Sequence, residues 1–296
     1  MKHKNKTLFI LVIGVFSISI SSILIKLCTA PSLVISFYRM AIASLFYLGG
    51  VSLYHGNIFK TITKSDFKYM LLSGVFLTFH FVTWITSLKY TSVASSVVLV
   101  QTSPVFVALG SYLFFKEKPG LAGVSGILIT MAGGFIISRY DNAGQSGALF
   151  GNVLAVLGAI GASGYFLLGR KIRKTVDIFR YVAIVYSVST LLLLILVLFK
   201  NPVSLWGYSW QMMALLAAIA LVPQVIGHTS INWALKYYSA TAVTIVTLAE
   251  SVCASLIAWL LLKEPLPVYK IVGGIILLSG VVLVLYAESR GKLEKK

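Results

Sequence analysis

The sequence predicts an all-α integral membrane protein with ten transmembrane helices, arranged as two inverted five-helix repeats. Three observations lead to this prediction: the apolar composition, the number of long apolar runs and an internal repeat. The 296-residue chain is 58% hydrophobic and only 11% charged, and its mean hydropathy is +0.92. A soluble domain carries roughly 25% charged residues, so lipid rather than water is expected to cover most of this surface.

Ten apolar runs are long enough to cross a bilayer, since a spanning helix needs about 20 mostly apolar residues. Helices are required because nothing in hydrocarbon satisfies a bare backbone group. The first run is interpreted as a span and not as a cleaved signal peptide, because Lys26 closes it and no suitable cleavage site follows. The ten runs are Thr7–Lys26, Ser32–Tyr54, Phe67–Leu88, Val93–Phe115, Leu121–Ser138, Gly147–Leu168, Ile178–Phe199, Trp210–Ala234, Ala240–Leu262 and Val268–Tyr286, with boundary prolines at Pro31, Pro119, Pro202 and Pro267.

The basic residues predict the orientation of these runs. The formal net charge is +17, but the charges lie at the ends of apolar runs, so they indicate topology and lipid contacts and not nucleic-acid binding. With the N-terminus inside, the inner segments hold about three times as many Lys and Arg residues as the outer ones. We therefore expect a multi-pass protein of the inner (plasma) membrane with cytoplasmic N- and C-termini.

An internal repeat relates the two halves of the chain. Each half holds five spans, and because five is odd, the second half enters the membrane from the opposite side. The predicted repeats are residues 1–140 and 141–296, and inverted repeats of this kind are typical of secondary transporters with a site between the halves. A shift of 147 residues brings together Leu88-Lys89-Tyr90 with Leu235-Lys236-Tyr237, Ser92 with Ser239, Lys116-Glu117 with Lys263-Glu264, Gly126 with Gly273 and Gly133 with Gly280, and one residue of slippage pairs His80 with His228.

These repeated motifs resemble the EamA-type members of the drug/metabolite transporter superfamily. The resemblance rests on Trp84–Ser92 with Ser103-Pro104, on Asn232–Tyr237 with Leu248-Ala249-Glu250, and on the placing of Glu117 and Glu264. It implies a basket of inverted helices around a central cavity, and relatives that export amino acids, other metabolites or toxic compounds. Members often carry Glu-Pro in helix 9, where this chain has Glu250-Ser251, which predicts a smaller bend there.

Glu250 is the first candidate site residue, because it is the acid near the middle of a predicted span. A carboxylate at that depth is expected to face the bundle interior and to pair or stay protonated. It would suit proton coupling or recognition of a substrate ammonium, but a protonated acid that bonds a neighbouring helix remains an alternative.

His80 and His228 occupy equivalent places in helices 3 and 8, and Trp84 follows His80 by one helical turn. Gln224, His228 and Asn232 recur at four-residue steps, which predicts that they share one face of helix 8. Cavity lining, interhelical hydrogen bonds and a metal site are three interpretations of this set. No metal-binding motif and no CxxC pair favours the last, so we expect no metal and no cofactor.

Arg39 lies about 12 Å into helix 2, counting roughly 1.5 Å per residue, and it either binds a substrate carboxylate or pairs within the bundle. Lys26 is expected to extend towards the interface. Pro104, close to Gln101, is expected to kink or unwind helix 4 because proline leaves a carbonyl unpaired. Broken helices of this kind often mark transporter sites, although a packing kink is equally consistent.

The sequence therefore predicts a secondary transporter that exports a small polar or zwitterionic metabolite by alternating access, with proton coupling as a further hypothesis. No nucleotide-binding loop is present, so ATP is not expected to drive it directly. The alternatives are an integral membrane enzyme acting on lipid and a structural or sensory subunit. The expected partners are the substrate, the lipid bilayer and protons; oligomeric state is not predicted. The candidate substrate-binding residues are Glu250, His80, His228, Arg39, Trp84, Gln224, Asn232 and Gln101.

Overall fold

The computed structural model describes residues 2–54, 56, 62–115, 120–141, 147–199, 204–234, 236 and 247–293. Every regular element within these ranges is helical. Several sequence features lie outside them: Lys116, Glu117, Pro119, Pro202, Leu235, Tyr237, Ser239 and the start of the predicted span Ala240–Leu262.

Thirteen α-helices and one π-helical segment follow one another in the described ranges. The first seven helices are α1 (Lys2–Ser19), α2 (Ser21–Leu27), α3 (Ser32–Tyr54), α4 (Lys64–Tyr90), α5 (Val93–Val100), α6 (Ser103–Phe115) and α7 (Leu121–Asp141). The remaining elements are α8 (Ala148–Ile172), α9 (Ile178–Phe199), α10 (Trp210–Ile219), the π segment (Ala220–His228), α11 (Thr229–Ala234), α12 (Ala249–Leu262) and α13 (Val268–Leu293).

Within the described ranges, seven helical stretches are long and apolar enough to cross a membrane: Phe9–Leu27, Ser32–Leu53, Lys64–Tyr90, Val93–Gly110, Ala148–Ile172, Ile178–Phe199 and Trp210–Ala234. Three shorter apolar helices occupy Leu121–Ile137, Ala249–Leu262 and Val268–Leu283. Large apolar side chains such as Phe16, Leu45 and Leu198 are exposed on the outside of the bundle. A helical bundle with such a surface is an integral membrane protein that crosses the bilayer several times.

The main core lies where α3, α4, α8 and α9 pack together, with α4 against α8 and α3 against α9. The helix formed by α1 and α2 packs on the π segment and α11, and α5 contacts α12. Among the largest fully buried side chains are Phe81, Tyr165, Tyr181 and Tyr186, with Arg39 beside them. A fully buried arginine in an otherwise aromatic and aliphatic core makes this region a candidate functional site.

Three predicted spans are interrupted. α5 ends at Val100 and α6 begins at Ser103, so the break expected near Pro104 is present. The first span changes helix at Ile20, and the eighth contains the π segment around Pro223. No interruption was predicted in these last two spans. Proline in a helix removes a hydrogen bond and clashes with an earlier carbonyl, and a locally widened helix relieves that clash.

The long helices α7 and α13 approach closely through glycine, as the repeated glycines predict. A Cβ atom on Gly133 would overlap the backbone of Leu277, and one on Gly280 would overlap the backbone of Thr130. Small residues at such crossings allow helix backbones to meet, and close van der Waals packing is a main source of helix association in lipid.

The variant Gly133→Ala is expected to lower the free energy of unfolding by about 1–3 kcal/mol, because the added methyl group forces α7 away from α13. The matched control is Gly134→Ala, whose methyl group would meet Leu99 at an ordinary 3.5 Å. Thermal unfolding of the purified protein in detergent measures both. Equal midpoints for the two variants would contradict the close approach.

Candidate functional site

The interruption between α5 and α6 lies beside the start of α12, and one side chain joins them. α12 begins at Ala249 after a turn at Leu248, which places Glu250 in its first turn although no proline is present there. Gln101 Nε2 donates to Glu250 Oε2 at 2.9 Å and to the carbonyl oxygen of Thr247 at 3.3 Å. The unpaired N–H groups of a helix N-terminus favour negative charge, so this position suits a carboxylate.

A small cavity of about 50 Å³ adjoins this contact. Such a volume holds a few water molecules but no metabolite, because ligand pockets usually measure about 300–1,000 Å³. Five of the eight predicted site residues line it, together with Tyr165 and Ser103. The five are Glu250, His80, His228, Trp84 and Gln101.

His80 is held firmly in the cavity wall. Its Nδ1 lies 2.8 Å from the carbonyl oxygen of Gly158 on α8, and its ring stacks on Trp84 with an interplanar angle of 6°. A Cβ on Gly161 would overlap the backbone of His80, so α4 and α8 touch at this level. The ring orientation is therefore fixed from two sides.

His228 lies at the end of the π segment, where its ring meets Phe81 edge-on at 5.6 Å between centroids. Its Nδ1 is buried and has no hydrogen-bond partner among the described residues. Buried polar groups are nearly always paired, so an unpaired one beside a cavity needs an explanation.

Arg39 does not line the cavity. Its side chain is fully buried behind Phe81, with the guanidinium carbon 4.3 Å from that ring centroid. Nε donates to Gln224 Oε1 and Nη1 donates to Ser21 Oγ, both at 2.8 Å. In this conformation Arg39 joins α3 to α2 and to the π segment, which corresponds to the alternative of pairing within the bundle.

The three polar residues of the eighth span have different partners. Gln224 bonds Arg39, His228 lines the cavity, and Asn232 Nδ2 donates to Tyr165 Oη at 2.8 Å. That they share one face of the helix stays a prediction. The π segment in this span was not predicted, although Pro223 lies within it.

Metal ligation finds no support in the part of the chain that the structure describes, where no group of three or more His, Cys, Asp or Glu side chains comes together. The cavity instead combines one carboxylate, two imidazoles, one amide and aromatic rings.

A second polar cluster lies at the ends of α2 and α4 and the starts of α5 and α13; we call it the Lys26–Glu264 cluster. Lys26 Nζ lies 3.5 Å from Glu264 Oε1 and donates to the carbonyl oxygen of Thr91 at 2.9 Å. The other carboxylate oxygen, Glu264 Oε2, accepts from the backbone N–H of Val93 at 2.8 Å. Lys26 was expected to extend towards the interface. It also pairs with Glu264 within the protein.

Two further lysines complete the Lys26–Glu264 cluster. Lys89 Nζ donates to the carbonyl oxygen of Cys28 at 2.6 Å, and Lys270 Nζ donates to Ser92 Oγ at 2.8 Å. Cys28 is fully buried just beneath, with its Sγ 3.3 Å from Met212 Sδ. Burial raises the pKa of the Cys28 thiol, although the Ala30 backbone and Lys89 oppose this.

Comparison with known families gives two matches along the chain. The EamA-like transporter family matches residues 5–139 and again residues 149–286. An uncharacterized transporter from Archaeoglobus fulgidus is 25% identical over 294 residues, covering 96% of this chain and 98% of the relative. The pseudopaline exporter CntI from Pseudomonas aeruginosa is 25% identical over 287 residues, covering 95% of each chain.

Two further comparisons concern one half and the overall fold. The uncharacterized transporter YxxF of Bacillus subtilis is 33% identical over 148 residues, which is 49% of this chain and 47% of that relative. A solved crystal structure superposes with a TM-score of 0.68 over 97% of this chain and 99% of the other, at 14% identity. That likeness concerns the fold alone.

The variant Arg39→Lys is expected to lower the free energy of unfolding by about 1–3 kcal/mol. The lysine ammonium cannot hydrogen-bond to both Gln224 and Ser21 while stacking on Phe81, so buried polar atoms of these residues lose their partner. Thermal unfolding in detergent measures the loss of stability. The control is Lys68→Arg, the reverse exchange at an exposed position. An unchanged midpoint for Arg39→Lys would contradict the joining role.

Proposed function

Because the chain belongs to the EamA-like transporter family, we propose that it is a secondary transporter exporting a small polar or zwitterionic metabolite, such as an amino acid, by alternating access. The observation that carries the proposal is the Gln101–Glu250 contact beside a small polar cavity. Glu250, His80, His228, Trp84 and Gln101 line this proposed substrate site, and Arg39, Gln224 and Asn232 support it from behind. The names of the relatives favour transport over the alternative of a lipid-acting enzyme.

We further propose ten spans in two inverted repeats, residues 1–140 and 141–296. The two separate family matches support this division. The packing supports it too, because α1 lies on the π segment of the second half while α8, the first helix of that half, lies on α4 of the first. Under an inverted repeat those two contacts are equivalent. Gln101, at the end of α5, and Leu248, the turn before α12, are also 147 residues apart, the same shift that aligns the sequences.

The size of the cavity supports an alternating mechanism. At about 50 Å³ the cavity is too small for a metabolite, so a metabolite binds there only when the helices that line it separate. Interrupted helices allow such movement, because their short segments can tilt independently where neighbouring side chains satisfy the free backbone groups. Proton coupling would use the Glu250 carboxyl, which can gain or lose a proton as the site opens to either side.

We propose that the protein lies in the plasma membrane with both termini in the cytoplasm. The distribution of basic residues supports this orientation. The Lys26–Glu264 cluster then lies at the outer end of the bundle. It connects α2 and the start of α5 to the segment between α12 and α13, which come from opposite halves of the chain. We propose that it holds the outer side closed. The proposal that transport is export is supported by the name of one relative, a pseudopaline exporter.

The variant Glu250→Gln is expected to abolish the dependence of transport on a pH gradient, because an amide cannot carry the proton. Proteoliposomes loaded with a mixture of amino acids and subjected to an imposed pH gradient measure this, with efflux followed by mass spectrometry. Asp177→Asn is the control, since Asp177 caps α9 from outside the spans and asparagine caps equally well. Full gradient dependence in Glu250→Gln would eliminate the proton role, and no amino-acid efflux from the unmodified protein would contradict the substrate class.

The variant Glu264→Gln is expected to open the outer side and to speed labelling of Cys28 by an external, membrane-impermeant maleimide. The reason is that Cys28 is buried beneath the cluster, where its raised pKa keeps the thiol protonated and slow to react. The assay uses a Cys253→Ser background, since Cys253 is the second free cysteine. Lys263→Gln, an exposed neighbour, is the control. Equal labelling rates in both variants would contradict the closing role of Glu264.

A further inference from the structure

We infer that the central cavity recognises an ammonium group of its substrate, and that His80 determines this specificity together with Glu250. The inference deepens the proposed function and rests on it, because it takes the cavity as the substrate site. Three hydrogen-bond assignments and the position of one arginine lead to it.

The first assignment concerns His80. The carbonyl oxygen of Gly158 can only accept a hydrogen bond, so the His80 Nδ1 atom facing it at 2.8 Å carries the hydrogen. In a neutral imidazole the opposite nitrogen, Nε2, is then an acceptor. Stacking on Trp84 holds the ring in this orientation, and His80 forms part of the cavity wall.

The second and third assignments concern Gln101 and Glu250. The two hydrogens of the Gln101 amide are used on Glu250 Oε2 and on the Thr247 carbonyl oxygen, which leaves Gln101 Oε1 as an acceptor. Glu250 keeps its second carboxylate oxygen, another acceptor, and it too lines the cavity. The polar groups that Glu250, Gln101 and His80 still offer are therefore acceptors.

The nearby cationic side chain, that of Arg39, does not line the cavity. It lies behind Phe81, two of its nitrogens are bonded to Gln224 and Ser21, and its Nη2 is buried without a partner among the described residues. The indole nitrogen of Trp84 is also buried without a partner there, and it is an uncharged donor. A carboxylate in this cavity would face another carboxylate and no charged donor. An ammonium would find acceptors and the aromatic rings of Trp84 and Tyr165 in the cavity wall, a ring type whose faces attract cations.

Thermal stabilisation of the purified full-length protein in detergent tests the inference with three small probes of similar shape: propylammonium, 1-propanol and butyrate. Propylammonium is expected to raise the unfolding midpoint saturably, which yields an apparent affinity, while 1-propanol and butyrate leave it unchanged. Stabilisation by butyrate but not by propylammonium would overturn the inference, and so would equal stabilisation by all three probes or by none.

Two variants locate the effect. Glu250→Gln, which removes the charge but keeps the shape, is expected to weaken propylammonium binding about tenfold or more. His80→Asn keeps a donor near Gly158 and removes Nε2, so we expect it to weaken binding about three- to tenfold with little change in the unliganded midpoint. Asp177→Asn, outside the spans, should leave the affinity unchanged. Wild-type affinity in His80→Asn would overturn the role of His80.

This experiment is independent of flux, because detergent solutions hold no gradient and no compartment. Amine binding without any transport in proteoliposomes would contradict the proposed function alone. Transport that proceeds while the cavity prefers butyrate would contradict only the inference about the ammonium group.

Discussion

The structure depends on one constraint: in hydrocarbon, each backbone N–H and C=O group must find a partner inside the protein. A helix can therefore be interrupted only where side chains of other helices take over its free carbonyls. Side chains of other helices do bond to backbone carbonyls beside the interruptions of this bundle. Gln101 Nε2 bonds the carbonyl of Thr247, Ser163 bonds that of Ser103, and Tyr47 bonds that of Val225 in the π segment. These hydrogen bonds hold the interrupted helices in the interior of the bundle, where a polar cavity can also exist.

The same constraint explains why the charged groups are sorted into two places. Glu250 and Arg39 lie at depth, each hydrogen-bonded to an amide side chain, whereas Lys26, Lys89, Lys270 and Glu264 meet at one end of the bundle. Charges within a membrane are costly unless they are paired or face an interior cavity. Of the deep groups, Glu250 lines the cavity and is suited to binding, whereas Arg39 joins helices behind it. The cluster at the end is suited to holding segments together reversibly, since an ion pair near water gains and loses little free energy.

Much of this arrangement was predictable from the sequence, and the rest depended on helix rotation. Apolar runs gave the helical membrane class, and Pro104 gave the interruption of the fourth run. Glu250, His80, His228, Trp84 and Gln101 do lie around one cavity, because polar residues in apolar runs have few other places to go. The partners of Gln224 and Asn232 were not predictable from their four-residue spacing, which does not say which neighbouring helix each side chain meets. The burial of Arg39 behind Phe81 depends on packing between distant segments, which spacing along the chain does not encode.

The π segment from Ala220 to His228 bears on how such a chain can vary. A π turn accommodates more residues than an α turn over a similar stretch of helix, so this region contains surplus chain length. Loss of a single residue here could be absorbed by a return to regular α geometry. The helix on both sides, α10 and the residues from Thr229 onward, would then keep its orientation, and only side chains within the segment would change direction. Length variation at this one place would thus change which side chains reach the interior without disturbing the rest of the bundle.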